Sequence, residues 1–560
     1  MLPRNTMQTL FFCALLACTF AFEQVVELTG GIEAPKPWVE IDAPVDLTLS
    51  VDLHVALTRS NVTALKNLWD TLTEPSSKRF AQWLTQKELT ELIAAPEANI
   101  RTVEQWLRTI GIEKMRLDVN RDYIHLTATG AQAQKILGQE LRAFQNEKTH
   151  QILMRAIGPI RVPKSVAACV DTIVGVGGFP VQHYHHKSTR KPTSPDAIEV
   201  TPEVLITRYN VTTVQKANSK NRKAVAEFQG QYISQTDVCK FFSDYSLNGT
   251  CTISHYYGSK NVQNDPGVES TLDVDYIDGL ADQTPLDYYL ASGMDFCSDL
   301  LTWTSDIANA AQPGWVHSVS YGEQRHKRVC AEADMNRLDQ DFMKLNTRGI
   351  SIIIASGDSG SGWWARDGWN DDYLCPSWPS SSEYCTAVGS TYFYEGNRNV
   401  EQATTQFGSG GGFSFWHTRP SFQESAVSGY LAKAKHAKGK WNKNGRATPD
   451  VSAMGEEFTI VIRGGKEPGI GGTSASTPTF AGIITRLNDE RLNAGKTTIG
   501  GALNKLIYSN PQMFYDVQIG SDRIGLNREH GWDTAVGWDP VTGMGTPNYA
   551  EMSKVFMSLP

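Results

Sequence analysis

The stretch that most constrains this chain is Gly471-Gly472-Thr473-Ser474-Ala475-Ser476-Thr477-Pro478, which runs straight into Thr479-Phe480-Ala481-Gly482-Ile483-Ile484. Two glycines allow the backbone a close approach to another segment, the apolar run has the spacing of a buried helix face, and Ser474 falls where that helix begins. The aligned amides of a helix start favour negative charge nearby, so a serine hydroxyl there is well placed to attack a carbonyl. The plainer reading is that Thr473, Ser474 or Ser476 caps the helix, the commonest use of Ser and Thr before an apolar run. A nucleophile, unlike a cap, needs a base and a group to steady the developing oxyanion.

Two other stretches offer those groups. Pro266-Gly267 signals a helix start, so Glu269 and Asp273, four apart, share one face beside Val268, Leu272 and Tyr276. Taken alone, with Asp275, Asp278 and Asp282 following, the same pattern fits an acidic solvated helix. The apolar run Ile350 to Ala355 predicts a buried strand, and Ser356-Gly357-Asp358-Ser359-Gly360 after it suits a turn. A loop at a strand's carboxyl end is also where α/β proteins build active sites.

Together these residues resemble a known family. Gly-Thr-Ser-Ala-Ser-Thr-Pro is the nucleophile signature of the subtilisin-like clan, yet none of the 12 histidines lies in a His-Gly-Thr-type segment; His530-Gly531 is followed by Trp532-Asp533. Glu269 to Asp273 resembles instead the Glu-x-x-x-Asp pair of sedolisins, the serine-carboxyl peptidases, and Ala355 to Gly360 resembles their oxyanion segment. The three motifs stand in the family's order, the resemblance covers nearly the whole chain, and it favours the tripeptidyl-peptidase branch.

The resemblance implies a subtilisin-like, doubly wound, mostly parallel α/β catalytic domain behind an α+β pro-domain that inhibits it. It also implies roles: Ser474 forms the acyl-enzyme, Glu269 acts as general base and then acid, Asp273 orients Glu269, and Asp358 steadies the oxyanion. The chemistry is coherent at acid pH. An imidazole with a pKa near about 6.5 is already protonated at about pH 4, whereas a carboxylate near about 4.3 still accepts a proton. Asp358 would repel an oxyanion unless it kept its own proton, which acid supplies. Substrates would be peptides and unfolded proteins, cut into tripeptides from free N-termini. A sedolisin-type endopeptidase is the alternative within the family, and a secreted binding protein that has lost catalysis is the alternative from another class.

A calcium site is implied in the same way. Tyr515-Asp516-Val517 and Ala535-Val536-Gly537-Trp538-Asp539 resemble the sedolisin Ca²⁺ segments. The side chains of Asp516 and Asp539 and the carbonyls of Val517, Ala535 and Gly537 would be the hard oxygen ligands. Ala535 stands where relatives carry glycine. Gly408-Ser409-Gly410-Gly411-Gly412-Phe413-Ser414 resembles the family's glycine-rich substrate edge, whose bare backbone suits pairing with an extended peptide.

The rest of the chain fits a secreted zymogen. Residues 1–22 carry one arginine and a short apolar run, as in a signal peptide, and no later segment approaches the roughly 18 apolar residues of a membrane span. Residues 23–181 alternate strand-like stretches (Val45–Val51, Tyr123–Thr127) with helical ones (Ser60–Leu72, Thr85–Leu92, Ile100–Leu107), residues 182–199 read as a linker with the processing site, and 200–560 as the catalytic domain. His183, His185 and His186 give the linker a charge that climbs as pH falls through about 6.5, which would open it and promote self-cleavage. A net charge of −8 argues against a nucleic-acid partner. Of nine cysteines, Cys13 and Cys18 leave with the signal; Cys239/Cys251, Cys375/Cys385 and Cys297/Cys330 are candidate pairs, and Cys169 is left over. Sequons at Asn61, Asn210 and Asn248 suit a secretory route to a lysosome-like compartment, with export as the alternative.

Overall fold

Short apolar runs build the centre of the larger domain. In the computed structural model, which describes residues 24–181, 186–187, 197–211, 213, 215–291, 293–324, 330–362, 373–434, 437–523 and 529–560, they form one eight-stranded sheet. In the smaller, N-terminal domain, β1 (Ser50–Leu57), β2 (Met115–Leu117), β3 (Tyr123–Thr129) and β4 (Val170–Val174) make an antiparallel sheet in the order β2-β3-β1-β4. A two-residue strand, β5 (His186–Lys187), follows in the connection between domains. The large sheet then comprises β6 (Lys223–Glu227), β7 (His255–Gly258), β8 (Leu286–Leu290), β9 (Val316–Val319), β10 (Ser351–Ala355), β11 (Thr386–Tyr394), β12 (Asn397–Ala403) and β13 (Val451–Met454). Its order is β7-β8-β6-β9-β10-β11, with β13 parallel and β12 antiparallel to different stretches of β11. The remaining pairings are parallel, and β6, β8, β9 and β10 are buried along their length, as strands covered on both faces must be.

The smaller domain has its own core, in which Leu53, Val55, Leu57, Ile124 and Leu126 pack with Val103 and Leu107. Its helix α1 (Val62–Thr73) presents buried Trp69, whose indole N–H donates to Asn346 Oδ1 at 3.2 Å, and α2 (Glu97–Ile110) covers the sheet. In the larger domain, α3 (Val268–Leu280), α4 (Phe296–Asn309), α5 (Glu332–Thr347) and α6 (Thr473–Asn493) pack on the sheet. The two domains meet over α4 and α5. There Arg59, Asp122 and Tyr123 of the small domain join Arg337, Asp341 and Lys344 of α5 in a fully buried ion cluster, with Lys344 Nζ 2.8 Å from Asp341 and 3.3 Å from Asp122.

Several local expectations change. The strand predicted over Val45–Val51 begins only at Ser50, because Asp46 Oδ1 accepts both the Thr48 N–H (2.9 Å) and its hydroxyl (2.6 Å) and turns the chain. The acidic face predicted for α3 is not solvated; the helix is buried from Glu269 to Leu280. Cys239–Cys251 and Cys297–Cys330 are disulfides, but Cys375 and Cys385 are separate buried thiols. Cys385 belongs to the apolar layer around Phe296 and Trp378, while Cys375 sits in a loop tied by its N–H to the Ser361 carbonyl. The proposed signal peptide, His183 and His185 lie outside the described residues.

Candidate active site

Helix α6 opens at Gly472, whose φ of 147° belongs to glycine, and no side chain caps it. Ser476 donates elsewhere, to the carbonyls of Ala453 (3.0 Å) and Met454 (2.9 Å), and Thr477 bonds back to Thr473 O at 2.8 Å. None of the three hydroxyls is therefore the cap. Ser474, second residue of the helix, is 4% exposed.

Asp358 lies against this helix start, on the loop that leaves the carboxyl end of β10. Its Oδ1 accepts the Thr473 N–H and the Thr473 hydroxyl, both at 2.7 Å, and the same hydroxyl accepts the Gly357 N–H at 3.2 Å. A Cβ on Gly472 would come within 2.8 Å of Asp358 Oδ2, so glycine is required by contact as well as by φ. Gln324 holds the loop from behind, accepting the Ser359 N–H at 2.9 Å and donating to Gly360 O at 3.0 Å. The glycine run predicted as a substrate edge packs on this loop. Gly360 N–H donates to Gly408 O at 2.8 Å, Gly410 N–H donates to Gly357 O at 2.6 Å, and a Cβ on Gly410 would stand 2.0 Å from Ser356 O.

Glu269 and Asp273 come from α3, which crosses α6 closely because Gly482 lacks a side chain; a Cβ there would be 2.5 Å from Leu280 Cβ. Both carboxyls are fully buried. Ser320, just past the end of β9, donates to Asp273 Oδ1 at 2.8 Å and lies 3.5 Å from the Ser474 carbonyl. Glu227, the last residue of β6, faces Asp273 and receives the Tyr321 hydroxyl at 3.2 Å. Burial, together with the nearby charges of Asp273 and Glu269, raises Glu227 well above the carboxylate range; burial and then Glu269 do the same to Asp273.

One further strand borders the nucleophile. β5 from the interdomain connection pairs antiparallel with β14 (Gly465–Gly471), His186 opposite Gly471 and Lys187 opposite Ile470, and Lys187 Nζ reaches Glu467 at 2.9 Å. The chain's own connection thus lies beside the edge that leads into Ser474.

The two carboxylates expected to bind calcium, Asp516 and Asp539, lie near the C-terminus. Asp516 Oδ2 accepts the Gly537 N–H at 3.1 Å, and Asp539 Oδ2 accepts the Ala535 N–H at 3.0 Å, so both side chains converge on the 535–537 turn. Burial raises Asp539 to about 7 despite hydrogen bonds from Ala535, Val541 and Thr542. A buried carboxyl held short of cationic compensation, flanked by hard oxygens, fits a divalent cation.

Glu227, Ser320, Thr473 and Gln324 carry no assigned role in the sequence reading. A signal was present for two of them: Glu227 is a charge closing an apolar strand, and Ser320 stands at a parallel strand's carboxyl end.

Comparison with known proteins agrees with this geometry. Residues 38–179 match the Pro-kumamolisin activation domain and residues 261–533 the Subtilase family. Tripeptidyl-peptidase 1 of Rattus norvegicus is 31% identical, with 94% of each chain covered, and that of Canis lupus familiaris is 30% identical over 98% of each. The solved Pseudomonas sedolisin, a serine-carboxyl proteinase complexed with pseudo-iodotyrostatin, shares the fold at a TM-score of 0.51 and 24% identity, covering 64% of this chain and 98% of that one. Identity of this extent along nearly the whole of both chains shows that the protein belongs to the sedolisin family of serine-carboxyl peptidases, with tripeptidyl-peptidase 1 among its relatives, and is a serine-type peptidase carrying its own activation domain.

Proposed function

We propose that this protein is an acid-acting zymogen that releases tripeptides from the free N-termini of peptides and unfolded proteins. Residues 1–22 are a signal peptide, 23–181 the pro-domain, 182–199 a linker that is cut, and 200–560 the catalytic domain. Ser474 attacks the scissile carbonyl, Glu269 takes its proton and later gives it to the leaving amine, Asp273 holds Glu269, and Asp358 donates a hydrogen bond to the oxyanion. The single observation that carries this reading is the hydrogen-bonded ring of acids around the helix start: Asp358 on Thr473, and Asp273 joined through Ser320 to the Ser474 carbonyl. Burial favours the protonated forms of Glu227 and Asp273, as acid chemistry requires. Pairing of β5 with β14 supports self-inhibition, since an extended segment added beside Gly471 leaves less room for a substrate strand.

Tripeptide release rests on similarity to tripeptidyl-peptidase 1, and so does delivery to an acidic, lysosome-like compartment. The test of release compares a free-N-terminus tripeptide reporter with an N-blocked longer peptide between about pH 3 and pH 7. Turnover of the free reporter alone is expected; equal turnover of the blocked peptide would assign an endopeptidase.

Calcium is the cofactor this reading includes, held by Asp516, Asp539 and the carbonyls of Val517, Ala535 and Gly537. When bound it would neutralise buried carboxylate charge and tie the 516 and 535–539 segments together. Chelation is expected to lower the unfolding temperature by several degrees, about 2–4 °C for each kcal/mol lost in a domain this large.

A further inference from the structure

One inference comes from the domain interface. His54 of β1 and His125 of β3 are cross-strand partners with Nδ1 atoms 2.6 Å apart. Their tautomers follow from the groups around them. Thr302 of α4 donates to Ser298 O at 2.9 Å, so His54 Nε2–H must donate to Thr302 Oγ1 at 3.2 Å, leaving His54 Nδ1 to accept from His125 Nδ1–H. His125 Nε2 then accepts from the Ser305 hydroxyl at 3.2 Å, which receives Asn309 Nδ2 at 3.2 Å. This chain of hydrogen bonds joins the two domains and is complete only while both rings are neutral, since a proton added at His54 Nδ1 would set N–H against N–H at 2.6 Å and one added at His125 Nε2 would remove the acceptor of the Ser305 hydroxyl.

We propose that the pair is an acid-sensitive latch between the activation domain and the catalytic domain. A cleft of about 830 Å³, lined by both histidines, lets water reach them. The charges facing it are Asp52 of β1, Lys114 and Arg116 at β2, Arg155, and Asp295, Asp299 and Asp306 at α4; Tyr123 stacks on His125 with Asp122 and Lys344 beyond. Burial lowers His54 to about 4 and His125 to about 3. Release returns them toward about 6.5, so docking is strongest above that pH and weakens as pH falls toward about 4. At least one proton is taken up, about tenfold in docking equilibrium per pH unit.

The test uses the full chain as Ser474→Ala, which cannot cut itself. Hydrogen exchange of β1, β3 and α4 amides is followed as pH falls, with His54→Gln/His125→Gln and with the linker histidines 183, 185 and 186 changed to Gln. The opening midpoint is expected to drop by about one pH unit in the pair variant and to stay put in the linker variant. An unmoved midpoint in a pair variant that melts like the parent at pH 7 would overturn the latch. Histidine NMR on the unaltered pair gives an independent reading: a ring titrating near about 6.5 in the docked chain would also overturn it.

Discussion

Glu227 sits at the end of a buried strand with its carboxyl raised well above the ordinary range by burial and by Asp273 and Glu269, so at working pH it is a neutral acid. Glu227→Gln, which keeps a neutral donor in place, is expected to hold kcat within about threefold, whereas Glu227→Ala leaves Asp273 short of a partner and costs about tenfold or more. Steady-state kinetics at acid pH check both. Asp358→Asn is expected to outperform Asp358→Ala, because an amide still donates where an alanine cannot; Asp358→Ala falls by about 10² to 10³. Ser474, Glu269, Asp273 and Asp358 could be proposed from the sequence because each stands in a local signature. Glu227 and Ser320 offered only their places at strand ends, and nothing near them in the chain says that β6 and β9 end beside Asp273. The Cys375/Cys385 pairing failed for the same reason: closeness in sequence did not bring one thiol out of the apolar layer to meet the other.

Helix α3 shows what pattern reading can and cannot give at the scale of an element. Its start after Pro266-Gly267 was legible, but its surroundings were not, since a helix bearing four carboxyls, taken alone, reads as solvated and this one is buried on every side. The reason is tertiary: α6 lies across it at Gly482 and the sheet lies beneath. Gly482→Ala would place a methyl 2.5 Å from Leu280 Cβ and push the helices apart. Overpacking of this kind costs about 1–3 kcal/mol. We expect a lowered unfolding temperature together with a fall in kcat larger than any change in KM, because Glu269 and Asp273 move relative to Ser474; thermal unfolding and kinetics on the same preparation separate the two effects. The strand expected over Ile350 to Ala355 runs from Ser351 to Ala355, a continuous apolar run with no competing pattern, whereas Val45–Val51 was misread because a side-chain turn at Asp46 overrode its alternation.

Across the whole molecule, the two domains respond to acid in opposite senses. Glu227, Asp273 and Asp275 of the catalytic domain are raised well above the carboxylate range, mainly by burial, so their contribution to stability is full below about pH 4 and is lost as pH rises through their folded values. The unfolding temperature of the processed enzyme is therefore expected to fall from about pH 4.5 toward neutrality, which a melting series checks. At the interface, the Arg337 guanidinium pairs with Asp122 and Asp171, and Arg337→Leu leaves buried carboxylates without that partner. Breaking such a cluster costs about 3–5 kcal/mol, so the variant zymogen is expected to activate at higher pH than the parent, as read by the pH at which the processed band appears. The central claim is that carboxyl groups, and no imidazole, activate Ser474. Its most direct test is covalent labelling of Ser474 by a serine-directed reagent between about pH 3 and pH 8, with Ser474→Ala as blank and Glu269→Gln as control. Labelling greatest near about pH 4, fading above about pH 6 and reduced at least a hundredfold in Glu269→Gln is expected; labelling that climbs through about pH 6.5 toward pH 8 and survives Glu269→Gln would contradict it.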